Sequence, residues 1–102
     1  MRPKPISELI SLKGRRALIT GAAAGIGEAI AYRFAEAGAD LELADIDEIG
    51  LQRVKEVITD FDVEVNTHVV DLSNRSEISK LWKGLNSRKP NILVNNALLG
   101  GQ

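Results

Sequence analysis

From Arg16 onward the chain alternates short apolar runs with longer amphipathic stretches. Ala17-Leu18-Ile19-Thr20 is almost continuously apolar, the pattern of a strand covered on both faces. Gly25 to Ala37 then carries Ile26, Ala29, Ile30, Ala31, Phe34 and Ala37 at helical spacing, with Gly38 placed to end the helix. Leu41, Leu43 and Ala44 predict a second strand closing at Asp45. Asp47 stands where it can cap a second helix running to about Thr59, with Leu51, Val54, Val57 and Ile58 as its inward stripe. Val63 to Leu72 reads as a third strand with Asp71 at its carboxyl end. Ser73 is the expected cap of a third helix, backed by Glu77, and Ile78, Leu81, Trp82 and Leu85 form its core stripe. Pro90 breaks the chain, and Ile92-Leu93-Val94 predicts a fourth strand leading into Asn95-Asn96-Ala97.

Strands alternating with helices imply a parallel sheet with right-handed crossovers. The predicted fold class is therefore α/β, a doubly wound parallel sheet truncated after its fourth strand, in the order 3-2-1-4. The first two helices belong on one face and the third on the other. Residues 1–12, with Pro3 and Pro5, read as an N-terminal leader in which Ile6, Leu9, Ile10 and Leu12 suit one short packed turn. Residues 13–102 make up the domain. Ending at the fourth strand would leave that strand as an open, apolar edge, which favours self-association into a homo-oligomer.

Composition narrows the function. Thirteen Lys and Arg against 14 Asp and Glu, with net charge −1, give no electrostatic case for nucleic acid or an anionic membrane. No apolar run approaches the roughly 18–20 residues of a membrane span. The start has no continuous apolar stretch of the kind found in a signal peptide. The absence of cysteine excludes disulfides, thiolate catalysis and Cys-ligated metal, and fits a cytoplasmic location.

The candidate chemistry lies where the first strand meets the first helix, in Thr20-Gly21-Ala22-Ala23-Ala24-Gly25-Ile26-Gly27. Gly21 lets the chain turn sharply off the strand. Gly25 lets backbone approach a pyrophosphate, and Gly27 allows close packing of helix on strand. Free amides at the helix start favour phosphate groups. The spacing is G-x-x-x-G-x-G, and no Gly-Lys-Ser/Thr follows to make a P-loop. Taken alone, such glycines also suit a helix that merely packs tightly. Asp45, about two dozen residues beyond Gly21, supplies the context: a carboxylate there accepts hydrogen bonds from an adenosine ribose. It would repel a 2′-phosphate, and neither Ala24 nor Ile46 offers a cation, so charge favours NAD over NADP. Asp47 and Glu48 suit a solvated turn and helix cap, and no metal site is expected.

These features together resemble the N-terminal, NAD-binding half of the short-chain dehydrogenase/reductase family. The motifs that carry the resemblance are Thr20-Gly21-x-x-x-Gly25-Ile26-Gly27, Asp45, Asp71-Leu72 and Asn95-Asn96-Ala97, spread over about residues 12–97. The resemblance implies a Rossmann-like, partial dinucleotide-binding domain. It implies that backbone around Gly21, Ala23, Ala24, Gly25 and Ile26 holds the pyrophosphate and adjoining ribose, and that Asp45 binds the adenosine ribose. It further implies that Asp71 bonds the adenine amino group, that Leu72 touches the ring, and that Asn95, Asn96 and Ala97 line the nicotinamide-side ribose.

Two positions depart from the family pattern. Leu98 stands where the family continues with glycine after Asn-Asn-Ala. The catalytic Tyr-x-x-x-Lys, with its Ser, is expected beyond residue 102, and the only tyrosine, Tyr32, is followed by Arg33-Phe34-Ala35-Glu36 inside the first helix. No catalytic residue is therefore assigned. His68 is read as structural, and Trp82 as core. A truncated chain, a natural half that pairs with another subunit, and a freestanding module all fit, with the first preferred. The leading function is NAD(H) binding within an oxidoreductase that, when complete, acts on a small alcohol or carbonyl substrate. The alternative is a non-catalytic dinucleotide-binding or scaffold module that self-associates.

Overall fold

A computed structural model describes residues 11–96. Most of the expected leader, residues 1–10, and the expected site residue Ala97, with Leu98 after it, lie outside the described residues.

The described chain runs β1 (Arg16–Thr20), α1 (Gly25–Glu36), β2 (Asp40–Asp45), α2 (Glu48–Ile58), β3 (Val65–Val69), α3 (Arg75–Gly84) and β4 (Ile92–Asn95). All strand pairs are parallel, in the order β3-β2-β1-β4. Register aligns Thr20 with Ala44 and with Asn95, and Asp45 with Val69, so the strands finish along one rim of the sheet. That rim positions everything that follows.

Successive side chains of a strand point to opposite faces. Ala17 and Ile19 of β1, Leu41 and Leu43 of β2 and Val65 of β3 form one core with Ala31 and Ala35 of α1 and Leu51, Val54 and Ile58 of α2. Alanines on α1 let that helix lie close to the sheet, while the larger side chains of α2 fill the remaining volume. Burying each of Leu51, Val54 and Ile58 contributes about 2 kcal/mol. The opposite face carries a smaller core of Leu18, Ala44, Val70, Leu81 and Leu85, supplied in part by α3. Two helices on one face and one on the other follow from the right-handed crossovers.

Helix ends obey local chemistry. α1 stops at an αR Ala37, and Gly38 follows with φ of +100°, in the left-handed region that glycine tolerates. Asp47 caps α2, its Oδ1 accepting from the Gly50 amide at 3.0 Å.

Three sequence expectations need correction. β3 is shorter than Val63–Leu72: Val63 closes a turn onto the Phe61 carbonyl, and after Val70 bonds Asp45 the chain turns so that Asn74 bonds the Asp71 carbonyl. α3 is capped by Asn74, not Ser73. Asn74 Oδ1 accepts from the Ser76 and Glu77 amides, whereas the Ser73 amide and hydroxyl both donate to Asp71 Oδ1. Trp82 is 47% exposed and Val57 48% exposed, so neither belongs to the core. Trp82 flanks a hollow beside β4 that no described element covers, and this is why helical spacing alone misplaced it.

One buried charge was not anticipated. Glu42 sits 1% exposed on the α3 side of the sheet. Its Oε1 lies 2.8 Å from His68 Nε2, and its Oε2 accepts from Arg16 Nη1 and, at 2.9 Å, from Asn66 Nδ2. Burial pushes this carboxyl up, but the bonds from His68, Asn66 and Arg16 outweigh burial and hold it below its ordinary range. His68 is accordingly part of a structural network.

Candidate functional site

The glycine-rich loop leaves β1 at Thr20 and enters α1 at Gly25. Gly21 and Gly25 take φ of +65° and +60°, so any residue with a Cβ would be strained at either position. A Cβ at Gly25 would meet open space, whereas one at Gly27 would strike the Gly21 carbonyl and come within 2.9 Å of Asn96 Nδ2. Gly27 thus serves packing, and Gly25 serves conformation at an exposed helix start.

Ala24, the N-cap of α1, offers no side-chain acceptor, and Ala24, Gly25 and Ile26 are exposed. The first-turn amides of α1 therefore lack the cap that Asp47 and Asn74 give the other two helices. An uncapped, glycine-lined helix start is an anion cradle in its chemistry.

The structure joins Asp45 to this loop directly. Its Oδ2 accepts from the Ala23 amide at 3.0 Å and its Oδ1 from the Asp47 amide at 3.0 Å. Each carboxylate oxygen keeps a second acceptor site, and the side chain is half-buried at the rim. Ala22 is fixed to the same strand end by its amide, 3.3 Å from the Ala44 carbonyl.

From the other side, β4 supports the loop. The Asn96 amide donates to Thr20 Oγ1 at 3.0 Å, and Asn96 Nδ2 to the Gly21 carbonyl at 3.3 Å. Asn95 Oδ1 accepts from Thr20 Oγ1 at 3.2 Å. Asn95, Thr20 and Leu72 also line one apolar hollow of about 200 Å³, completed by Leu18, Ile78, Leu81, Trp82 and Leu93. Asp71 lies between β3 and α3. Its Oδ1 accepts from the Ser73 hydroxyl at 2.6 Å and the Ser73 amide at 2.9 Å, and these bonds hold its carboxyl below the ordinary range. The sequence-predicted residues from Gly21 to Gly27, Asp45 and Asn96 thus form one bonded constellation. Leu72 and Asn95 share the adjoining hollow, while Asp71 is engaged with its own turn.

Four residues of the loop's support escaped sequence reasoning. Arg53 of α2 donates from Nη2 to the Ala23 carbonyl at 2.9 Å, and both its terminal nitrogens reach Glu28 at 2.9 Å. Tyr32 donates its hydroxyl to Glu28 Oε2. Arg53, then Tyr32, pull the Glu28 carboxyl down to about 2. A Cβ at Gly50 would lie 2.8 Å from Ala23 Cβ and 2.5 Å from Asp47 Oδ2, so this helix glycine makes room for the loop. Gly50 was visible as a poor helix former inside a helix; the partners of Arg53 carried no comparable signal.

A family model described as short chain dehydrogenase matches residues 15–102. The chain is 38% identical over 97 residues to 7alpha-hydroxysteroid dehydrogenase of Escherichia coli strain K12, covering 93% of this chain and 38% of that protein. It is 37% identical over 92 residues to 3beta-hydroxysteroid dehydrogenase 2 of Eggerthella lenta, covering 84% of this chain and 34% of that one. Among solved structures, the hydroxysteroid dehydrogenase from Escherichia coli superposes with TM-score 0.83 at 38% identity, over 94% of this chain and 41% of that chain. The L-sorbose reductase from Gluconobacter frateurii, complexed with NADPH and L-sorbose, gives TM-score 0.81 at 32% identity, over 88% of this chain and 35% of that chain. The chain spans about a third of the length of the curated relatives it matches.

Proposed function

The chain belongs to the short-chain dehydrogenase family, and from that premise we propose that residues 13–102 are the NAD(H)-binding portion of an alcohol- or carbonyl-directed oxidoreductase. The observation that carries this reading is the bond between Asp45 and the Ala23 amide, which joins a ribose-type acceptor to an uncapped glycine loop. In this reading backbone around Gly21, Ala23, Ala24, Gly25 and Ile26 holds the pyrophosphate and adjoining ribose, and Gly27 lets the helix start pack against the loop. Asp45 accepts from the adenosine ribose hydroxyls. Asp71 takes the adenine amino group and Leu72 the ring, while Asn95, Asn96 and Ala97 form the side toward the nicotinamide. The bound dinucleotide supplies hydride acceptance and donation. This chain's residues bind and orient it, and the substrate and the proton-transferring tyrosine are assigned to the complete enzyme.

NAD is preferred over NADP on charge. With Asp45 read as the ribose acceptor, its carboxylate would repel a 2′-phosphate, and Ala24 and Ile46 bring no cation. Arg53, which does reach the loop, is held by Glu28. Calorimetry is the test: NADH is expected to bind more tightly than NADPH, and Asp45→Ala to weaken NADH about tenfold. Equal NADH affinity in the two proteins would sink the ribose assignment.

A second reading, a non-catalytic module that self-associates, is favoured by one observation. Among the described residues β4 is an edge strand, with Leu93 56% exposed beside the 47% exposed Trp82. Sedimentation of wild type and Leu93→Lys tests association through β4, which the variant should abolish, and NADH calorimetry on the same proteins tests whether the associating chain also binds dinucleotide.

A further inference from the structure

We infer that Arg53 is a positioning residue for the dinucleotide loop, acting through the Ala23 carbonyl and through Glu28; this rests on the dinucleotide reading above. Ala23 is held at both ends by different elements. Its amide is bonded by Asp45 of β2 and its carbonyl by Arg53 of α2, at 3.0 and 2.9 Å. Gly50, one turn before Arg53 on α2, lets Ala23 come close enough for both bonds. The loop is therefore clamped between a strand end and a neighbouring helix, whereas its own helix start has no cap.

Glu28 adds an electrostatic consequence. It stands in the first turn of α1, where the uncapped amides would face phosphate groups. An ionised carboxylate there repels a pyrophosphate unless it is neutralised. The planar fork of Arg53 does so with one bond from each terminal nitrogen, while Nη2 also reaches Ala23. Tyr32 adds a neutral donor to the same carboxylate. One guanidinium thus fixes loop geometry and removes a local charge that would oppose the ligand. Binding constellations lose strength when such supporting bonds are cut, although the supporting residue never touches the ligand.

The test uses the full chain with NADH and with ADP-ribose, by calorimetry at a temperature where circular dichroism shows each variant folded. Arg53→Met is expected to weaken both ligands by the same factor, about tenfold. Adding Glu28→Gln to it is expected to restore part of that loss, because the repelling charge is gone while the Ala23 bond is still missing. Arg53→Lys keeps the charge but loses the fork, and is expected to weaken binding by a smaller factor, about threefold. A purely structural role for Arg53 would lower the melting temperature and leave these affinities unchanged, with no rescue. Wild-type affinity in Arg53→Met overturns the inference; if that variant does not fold, wild-type affinity in Arg53→Lys does so. If the wild-type chain binds neither NADH nor ADP-ribose, the functional reading fails first and takes this inference with it.

Discussion

Asp45 does two things with one carboxylate. It anchors the glycine loop through Ala23 and keeps acceptor capacity at the rim, which the proposed function gives to a ribose. Gly27 is as constrained, because a methyl group there meets backbone: Gly27→Ala is expected to cost about 2 kcal/mol, read as a lowered urea midpoint with unchanged slope. The Glu28–Arg53 pair makes a pH prediction. The folded-state carboxyl titrates at about 2 against an ordinary 4.5, so its contribution is complete above that ordinary value and is lost as pH falls toward 2. The stability difference between wild type and Glu28→Gln should therefore be largest at neutral pH and shrink below pH 4.5 in acid unfolding series. A constant difference would remove the ion pair from the account. Glu42 is the deeper commitment, and Glu42→Ala should cost about 2 kcal/mol, since it removes the buried acceptor shared by His68, Asn66 and Arg16, while Arg16 keeps its pairing with Glu64 and Asp40.

Element by element, the apolar periodicity located every strand and helix among the described residues, because buried parallel strands and amphipathic helices write distinct patterns. Their ends were harder to read. Ser73 and Asn74 are adjacent and both are cap formers, and sequence cannot tell which one the turn will use. Asp71 decides it by accepting both donors of Ser73, which leaves Asn74 for the helix. Asn74→Ala should accordingly destabilise by about 1 kcal/mol in thermal unfolding, and Ser73→Ala by less. The loop's glycines and Asp45 were legible because their spacing is tied to strand ends. Arg53 was not, since its partners Ala23 and Glu28 lie on another element and only tertiary packing brings them within reach.

At the scale of the molecule, the strand order was legible from chain direction and crossover handedness alone. Exposure was not, because it depends on what covers each face. Trp82 and Leu93 lie beside a hollow that no described element closes, and spacing rules assume a covered stripe. The sheet rim gathers the proposed binding residues, whereas the sequence contains no Tyr-x-x-x-Lys, and its one tyrosine is bonded to Glu28 on α1. The proposed function therefore assigns this chain binding without turnover. With NAD and a simple secondary alcohol it is expected to show no turnover above background, and a rate that Tyr32→Phe abolishes would contradict this. The most direct measurement of the central claim is a calorimetric titration of the 102-residue chain with NADH and NADPH. Saturable NADH binding, tighter than NADPH and weakened in Asp45→Ala, is the predicted result, and no heat of binding with either dinucleotide would contradict it.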